Sequence, residues 1–299
     1  MAKENRHGRV QRHRRQRRLN VNAPIGIFDS GLGGLNALPA LRVALPHEHL
    51  LYWADSAHAP YGEKGDDFVR RRSLAITEHL VNAHGIKALV VACNTATAAT
   101  IAALRSNYPQ LPIVGLEPAL KPAAQLTRTG RVGVMATQGT VSSEKFQRLL
   151  HSLEGQADFV VQACPGLALA IEQSAHPDTQ SAAENTVRDL LMRFTQAMGP
   201  FGTGAGDIDT LVLGCTHYVF VQDVLQKLVG PHVQCLSTGE PVAQQTRRLL
   251  EAAHTLRPTA EPAAQTRLLT NGDLAGLQGA AARWLGLSAD HCALADPAI

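Results

Sequence analysis

The sequence predicts an α/β fold in which parallel sheets are arranged in two similar halves. Two observations predict it. Short apolar runs without clean polar alternation recur along the chain, as expected of strands buried on both faces, and they alternate with segments of helical periodicity. The pattern also repeats. The first half holds IGIFDSG (25–31) and then ALVVACNTA (88–96), with 64 residues from Asp29 to Cys93. The second holds VGVMATQGT (132–140) and then TLVLGCTHY (210–218), with 78 residues from Thr137 to Cys215. In each half an apolar strand ends in small polar residues, and a later strand ends in a cysteine followed by Asn-Thr or Thr-His.

Taken in order, residues 1–22 are dominated by Arg, Gln, His and Asn and are expected to be disordered alone. Strands are expected at 24–28, 49–54, 88–92, 111–115, 131–135, 158–163, 210–214, 232–236 and 267–270. Leu35, Leu38 and Leu41 mark a helix after the first strand, and Ile101, Leu104 and Tyr108 one after the third. Phe146, Leu149, Leu150 and Leu153 form a helical stripe, as do Val221, Val224, Leu225 and Leu228. Val187, Leu190, Leu191, Phe194 and Met198 form the longest stripe, and an amphipathic segment surrounds Trp284. The glycine-rich stretch 199–206 reads as a mobile loop, and 254–266, rich in Ala, Pro and Thr, as a surface connection.

Composition excludes several classes. A chain of 299 residues with 45% hydrophobic content buries a substantial core without disulfides or metal. Its five cysteines (93, 164, 215, 235, 292) are odd in number and contain no CxxC, which suits a reducing cytosol. Apolar runs such as 88–93 are far short of a membrane span, and no 7–15-residue apolar stretch follows the basic start as in a signal peptide. The net charge of +3 hides an asymmetry. Residues 1–18 hold eight basic residues and Glu4, a contribution of +7, and the remaining 20 basic and 24 acidic residues leave −4. An acidic body does not draw in an anion by net charge, so local N–H groups and hydroxyls must hold one.

Ligands of open α/β sheets bind outside the carboxyl ends of the strands, where all four motifs fall. Cys93 and Cys215 each precede a helix, whose N-terminus favours a thiolate. Packing explains most cysteines. Two in matched positions, flanked by hydroxyl, amide or imidazole groups, fit packing alone poorly, whereas Cys164, Cys235 and Cys292 read as structural. Cys215 and His217 lie two residues apart, but no second pair has ligand spacing, so no metal is expected. Asp29 and Ser30 suit helix capping, and GLGGLN lacks the third glycine of a dinucleotide loop. Pro60-Tyr61-Gly62 is a turn signal at the same sheet end. His217 suits an acid/base partner for Cys215, and Glu172, on a short helix after Cys164-Pro165, reads as part of a solvated face. Two opposed thiols suit inversion of a carbon stereocentre, in which a base removes a proton from one face and a conjugate acid returns one to the other. Asn, Thr and Ser donors with backbone N–H groups would stabilise the enolate-like charge.

The ordered set FDSGLGGL (28–35), ADSAHAPYGEK (54–64), ACNTAT (92–97), GLEPA (115–119), ATQGTV (136–141), Cys164-Pro165 followed by Glu172, and LGCTHY (213–218) closely resembles the glutamate racemase family. The resemblance covers about residues 24–273. It implies two pseudo-symmetric flavodoxin-like lobes with parallel sheets and an active site in the cleft between them. Lobe 1 would comprise 23–115 plus 233–299, and lobe 2 would comprise 116–232. It further implies an isomerase that interconverts L- and D-glutamate without pyridoxal phosphate, metal or other cofactor, in the bacterial cytosol, supplying peptidoglycan synthesis.

By position, the resemblance gives Cys93, assisted by Asp29, to one enantiomer, and Cys215, assisted by His217 and Glu172, to the other. Ser30, Tyr61, Gly62, Asn94, Thr95, Thr137, Thr140 and Thr216, together with Asp29 and His217, would bind the amino and carboxylate groups. A peptidoglycan-precursor activator and a homodimer or monomer–dimer equilibrium are expected partners. Two departures stand out: Val219 replaces the family proline after CTHY, and 236–240 (LSTGE) lacks a family Asp near 237. The Arg-rich arm is an addition. A racemase of aspartate or another acidic amino acid is the nearest alternative, and a decarboxylase or isomerase keeping one cysteine fits less well. Nucleic-acid or regulatory binding through residues 1–18 is the alternative of another class, although the arm lacks aromatic residues for base stacking.

Overall fold

The computed structural model describes residues 20–295. Ten strands occur among them: β1 (Ile25–Asp29), β2 (Leu50–Ala54), β3 (Ala88–Val91), β4 (Ile113–Gly115), β5 (Arg131–Ala136), β6 (Asp158–Ala163), β7 (Thr210–Leu213), β8 (Gln234–Leu236), β9 (Thr266–Thr270) and β10 (Cys292–Leu294). They form a six-stranded sheet in the order β10-β9-β2-β1-β3-β4 and a four-stranded sheet in the order β6-β5-β7-β8. Every pairing is parallel. The second sheet repeats the first: β5, β6, β7 and β8 take the places of β1, β2, β3 and β4. The repeat seen in the motifs is therefore a repeat of topology. It puts Asp29 and Cys93 at the ends of two hydrogen-bonded neighbours, and Thr137 and Cys215 likewise.

Both faces of the larger sheet are covered, which explains the unbroken apolar runs. Ile25, Ile27, Tyr52 and Val90 face one apolar cluster, shared with helices Ala37–Ala44, Gly239–Ala252 and Leu274–Leu285. Phe28, Leu51, Trp53 and Val91 face the other, against helices Asp66–Ala83 and Asn94–Asn107. In the smaller sheet, Met135, Leu211 and Leu213 pack against Val187, Leu191 and Phe194 of helix Gln180–Met198. Val132, Val134 and Val212 pack against Phe146 and Leu120 on the opposite face. Truncating any one of these large side chains to alanine should cost ~2–5 kcal/mol. Beneath the larger sheet, Lys87 is fully buried. Its ammonium pairs with Glu48 and donates to the carbonyls of Val21 and Thr255, which satisfies a charge that would otherwise be prohibitive there.

Three sequence expectations need correction, and one strand lies outside those expected. β8 pairs with β7, so the chain returns to the larger sheet after Leu236 rather than at 232. The strand outside those expected is β10, whose three residues follow a 3-10 turn, Ala289–His291, and lack a long apolar run. Residues 20–22 form a turn tied to Lys87, so order begins before residue 23; the rest of the Arg-rich arm lies outside the described residues. The 199–206 loop is tied back by Gly202 N to Ile208 O at 3.1 Å and Gly204 N to Asp207 Oδ2 at 3.0 Å. Among the described residues no helix is long and apolar enough to cross a membrane.

Candidate active site

The carboxyl ends of the two sheets face one another across a narrow cleft. On the first side, Asp29 ends β1 and is fully buried. Its Oδ2 accepts the Gly34 N–H at 2.8 Å, steadying the turn Gly33–Asn36, although it is not that turn's N-cap. Cys93 follows β3 and is the N-cap of helix Asn94–Asn107, accepting the Ala96 N–H at 3.4 Å. A relay joins the two residues. The Cys93 thiol donates to Ser30 Oγ at 3.7 Å, and Ser30 Oγ donates to Asp29 Oδ1 at 3.5 Å.

The electrostatics on this side differ from the sequence expectation. Burial, then the nearby Asp29 charge, pushes the Cys93 thiol up despite the helix N-terminus. Desolvation outweighs one N–H bond and a partial dipole. Burial also raises Asp29, an effect offset in part by His217 across the cleft.

On the second side, Cys215 follows β7 and heads a 3-10 turn, Thr216–Val221, rather than an α-helix. Helix Gln222–Val229 begins only after that turn. Cys215 Sγ lies 3.8 Å from His217 Nδ1, and His217 Nε2 lies 2.7 Å from Glu172 Oε2. Glu172 is therefore not on a solvated face: its side chain is 14% exposed and turned inward. Burial alone would lower His217, but the hydrogen bonds and charges of Cys215 and Glu172 overcome it and hold its pKa well above the usual imidazole range. Each cysteine thus has its own relay to a carboxylate, one through a serine and one through a histidine.

Threonines join the sides. Thr95 Oγ1 lies 2.9 Å from Thr137 Oγ1 and 3.4 Å from Thr140 Oγ1, and Thr137 Oγ1 is 3.0 Å from Thr140 Oγ1. Thr137 also caps the turn Gln138–Val141 by accepting the Thr140 N–H. Two contacts clasp the cleft shut: the Leu32 N–H donates to Glu172 Oε2 at 3.1 Å, and the Gly166 N–H donates to Glu63 Oε1 at 3.0 Å. Asn36 Nδ2 donates to the Thr216 carbonyl. Gly31 and Gly33 allow the two sides to approach closely, since a Cβ would lie 2.2 Å from Glu172 Oε2 at Gly31 and 2.3 Å from His217 Nδ1 at Gly33.

The cavity between the sheets is lined by Ser30, Tyr61, Gly62, Cys93, Asn94, Thr95, Thr137, Cys215, Thr216 and His217, with Pro60 and Ala168. Asp29, Thr140 and Glu172 join through the bonds above, so all the residues expected at the site converge there. The cavity holds about 10 Å³, room for roughly one water, so a larger ligand requires the sheets to separate. No Lys or Arg lines it. Asn94 Oδ1 is buried and without a partner. Among the described residues no cluster of His, Cys, Asp and Glu could hold a metal. Asp55 and Glu63 lie within the 54–64 motif, which assigns them no role, yet they support the site. Their signal is burial for one and an inter-sheet bond for the other, neither visible in spacing.

Comparisons with known proteins agree with this geometry. The model of the family Asp/Glu/Hydantoin racemase matches residues 36–246. A glutamate racemase of Ectopseudomonas mendocina is 48% identical over 266 residues, spanning 88% of this chain and 95% of that protein. The crystal structure of a glutamate racemase isoform from Bacillus anthracis superposes with a TM-score of 0.76 at 30% identity, covering 93% of this chain and 99% of that one. Escherichia coli glutamate racemase, in complex with L-glutamate and the activator UDP-MurNAc-ala, matches with a TM-score of 0.73 at 30% identity, covering 86% and 93%. On a family match over most of its length and near-half identity across both sheets, the chain belongs to the Asp/Glu/hydantoin racemase family, among its glutamate racemases.

Proposed function

We propose that the chain racemises glutamate by a two-base mechanism in which Cys93 and Cys215 act on opposite faces of the α-carbon. The observation that carries this reading is the pair of relays, Cys93–Ser30–Asp29 and Cys215–His217–Glu172, converging on one cavity. His217, whose pKa is held up by Cys215 and Glu172, is the counter-charge available when Cys215 acts as the base, while burial favours the thiol form of Cys93. From that state Cys215 removes the α-proton of one enantiomer. The C–H electron pair passes to the enediolate, and Cys93 delivers its own proton to the other face. The product leaves Cys215 as thiol and Cys93 as thiolate, the state that accepts the opposite enantiomer.

No cofactor is needed for these steps. The enediolate is held by hydroxyls and backbone N–H groups rather than by Lys or Arg. The unpartnered Asn94 Oδ1 accepts from the substrate ammonium. The product D-glutamate serves peptidoglycan synthesis in the cytosol.

Regulation by a peptidoglycan precursor is supported by the Escherichia coli relative, whose structure contains such an activator. A cleft of about 460 Å³ borders Asn94 and Thr140 and carries Arg105, Arg148 and a Lys145–Glu117 pair, a net positive lining suited to an anionic nucleotide. The test is incubation of purified protein with L-glutamate in heavy water without added cofactor, followed by circular dichroism, with L-aspartate in parallel. Loss of optical rotation with deuterium at the α-carbon of glutamate is expected. A rotation unchanged with and without precursor overturns the reading, and faster turnover of aspartate selects the alternative substrate.

A further inference from the structure

The segment that carries Tyr61 and Gly62 to the cavity has little regular structure. It consists of two 3-10 turns, Ser56–His58 and Tyr61–Glu63. Its own backbone bonds are short-range: His58 N to Asp55 O, Ala59 N to Ser56 O and Lys64 N to Tyr61 O. None of these sets where the segment sits relative to the sheet. The start of the segment is tied to β1 by Asp55 N to Asp29 O at 3.1 Å and Tyr61 packs in an apolar cluster, but the polar ties that gather the turns run through one carboxylate. Asp55 directly follows β2 and is fully buried. Its Oδ2 accepts from the Tyr61 hydroxyl and from Arg72 Nε at 3.0 Å. Its Oδ1 accepts from Arg72 Nη2 at 2.7 Å and from Asn271 Nδ2, with His58 Nδ1 at 3.0 Å. Asn271, directly after β9, also accepts the Ala57 N–H at 3.2 Å.

We propose that Asp55 is a positioning residue for substrate binding: it anchors Tyr61, and through it the Tyr61-Gly62 wall of the cavity, to the sheet end and to Arg72. The inference rests on the glutamate racemase reading above. The bidentate Arg72 pair gives the buried Asp55 carboxylate its counter-charge and fixes its two oxygens in place. Burial, then the Asp55 charge, raises Tyr61, so Tyr61 stays a neutral donor and takes no part in proton transfer. The wall it fixes is tight. A Cβ at Gly62 would lie 2.6 Å from Thr137 Cβ, so a shift of the segment changes the gap between the sheets. The Asp55 side chain touches neither thiol relay; only its backbone N–H reaches one, at the Asp29 carbonyl 3.1 Å away, and a side-chain substitution leaves that bond in place. Its loss should therefore weaken holding of ground state and transition state alike, which appears in KM rather than kcat.

The test compares Tyr61→Phe, Asp55→Asn and the double variant by steady-state kinetics with both enantiomers. Tyr61→Phe is expected to raise KM about 10-fold with kcat within about twofold. Asp55→Asn should raise KM at least as much, and the double variant should go no further than Asp55→Asn, because both act through one bond. A loss of kcat at unchanged KM, or additive KM effects in the double variant, overturns the assignment. Should Asp55→Asn fail to fold, Asn271→Ala replaces it. A KM rise in that variant and in Tyr61→Phe, with thermal stability near wild type, upholds the proposal, and unshifted KM values in both overturn it. An active wild type with unshifted variants removes only the role of Asp55, whereas a wild type that does not racemise glutamate removes the functional reading and this inference with it.

Discussion

Glu172 and His217 lie 2.7 Å apart, and the same Glu172 oxygen also accepts the Leu32 N–H from the opposite side of the cleft. One carboxylate oxygen thus holds the imidazolium and the closed geometry together. Charge state and closure are coupled: a proton lost from His217 weakens the pair at the position where the two sheets meet. Glu172→Gln should lower the His217 pKa, because the attraction that offsets its burial is removed. Imidazole titration by NMR should show the drop, with kcat reduced roughly 100-fold.

The two cysteines should separate exchange from racemisation. Cys93→Ala and Cys215→Ala are each expected to lose racemisation by about 10³-fold or more. Each should still exchange the α-proton of a single enantiomer, a different one in each variant, because one thiol remains to remove and return a proton on its own face. Mass spectrometry after incubation in heavy water with each enantiomer separately reads this directly. Equal residual exchange of both enantiomers by one variant would refute the opposed-face arrangement.

Gly33→Ala tests closure. Its Cβ would meet His217 Nδ1 at 2.3 Å and Thr216 Oγ1 at 2.6 Å. Both are on the far side of the cleft, so separation of the sheets relieves the clash without unfolding either. A displacement of about 1 Å costs on the order of 100-fold in a positioned reaction. The expected result is that loss of kcat/KM with an unchanged far-ultraviolet circular dichroism spectrum.

Glu63 and Gly166 form the second clasp, at 3.0 Å. A cavity of about 10 Å³ cannot admit an amino acid, so the sheets must separate for entry, and this bond lies on the seam between them. Glu63→Ala should speed hydrogen exchange at the Gly166 amide about 10-fold without ligand, while amides of β5 keep their protection. Hydrogen-exchange mass spectrometry checks both regions.

The architecture and the two cysteine positions are readable in the sequence because they are repeated, and because strands buried on both faces leave long apolar marks. β1 and β5, with β3 and β7, carry that signal in five or so consecutive residues each. Glu172 was harder. A glutamate on a seven-residue helix looks like any solvated acid, and only the fold brings His217 against it. Asp55 is invisible for a related reason, since its five donors come from the end of β9, one helix and its own loop. The Cys93 pKa reverses the expectation from local structure, because a helix N-terminus is encoded locally and burial is not. Spacing identifies which strand ends meet; the sign of an electrostatic balance depends on what else is packed there.

Asp29 should trade stability for function. Burial raises its pKa above the ordinary value of 3.8, and the Gly34 N–H and His217 offset only part of that effect. A raised carboxyl pKa means that the folded state binds the proton more tightly than the unfolded chain. The associated stability is fully present below the unfolded pKa and is lost as pH rises through the folded one. Above the ordinary carboxyl range, at neutral pH, burial of this carboxyl is therefore a net cost to folding. Asp29→Asn keeps an oxygen able to accept the Gly34 N–H and removes the charge. The variant should melt ~2–4 °C higher than wild type near pH 7, for each kcal/mol relieved, and the gain should shrink towards pH 4. Racemisation should fall, because the Cys93–Ser30 relay then ends in a neutral amide. Paired melting curves and rates across pH 4–8 check both halves. A destabilised Asp29→Asn at pH 7 would show that the hydrogen bonds to the carboxylate, not its desolvation, dominate this site.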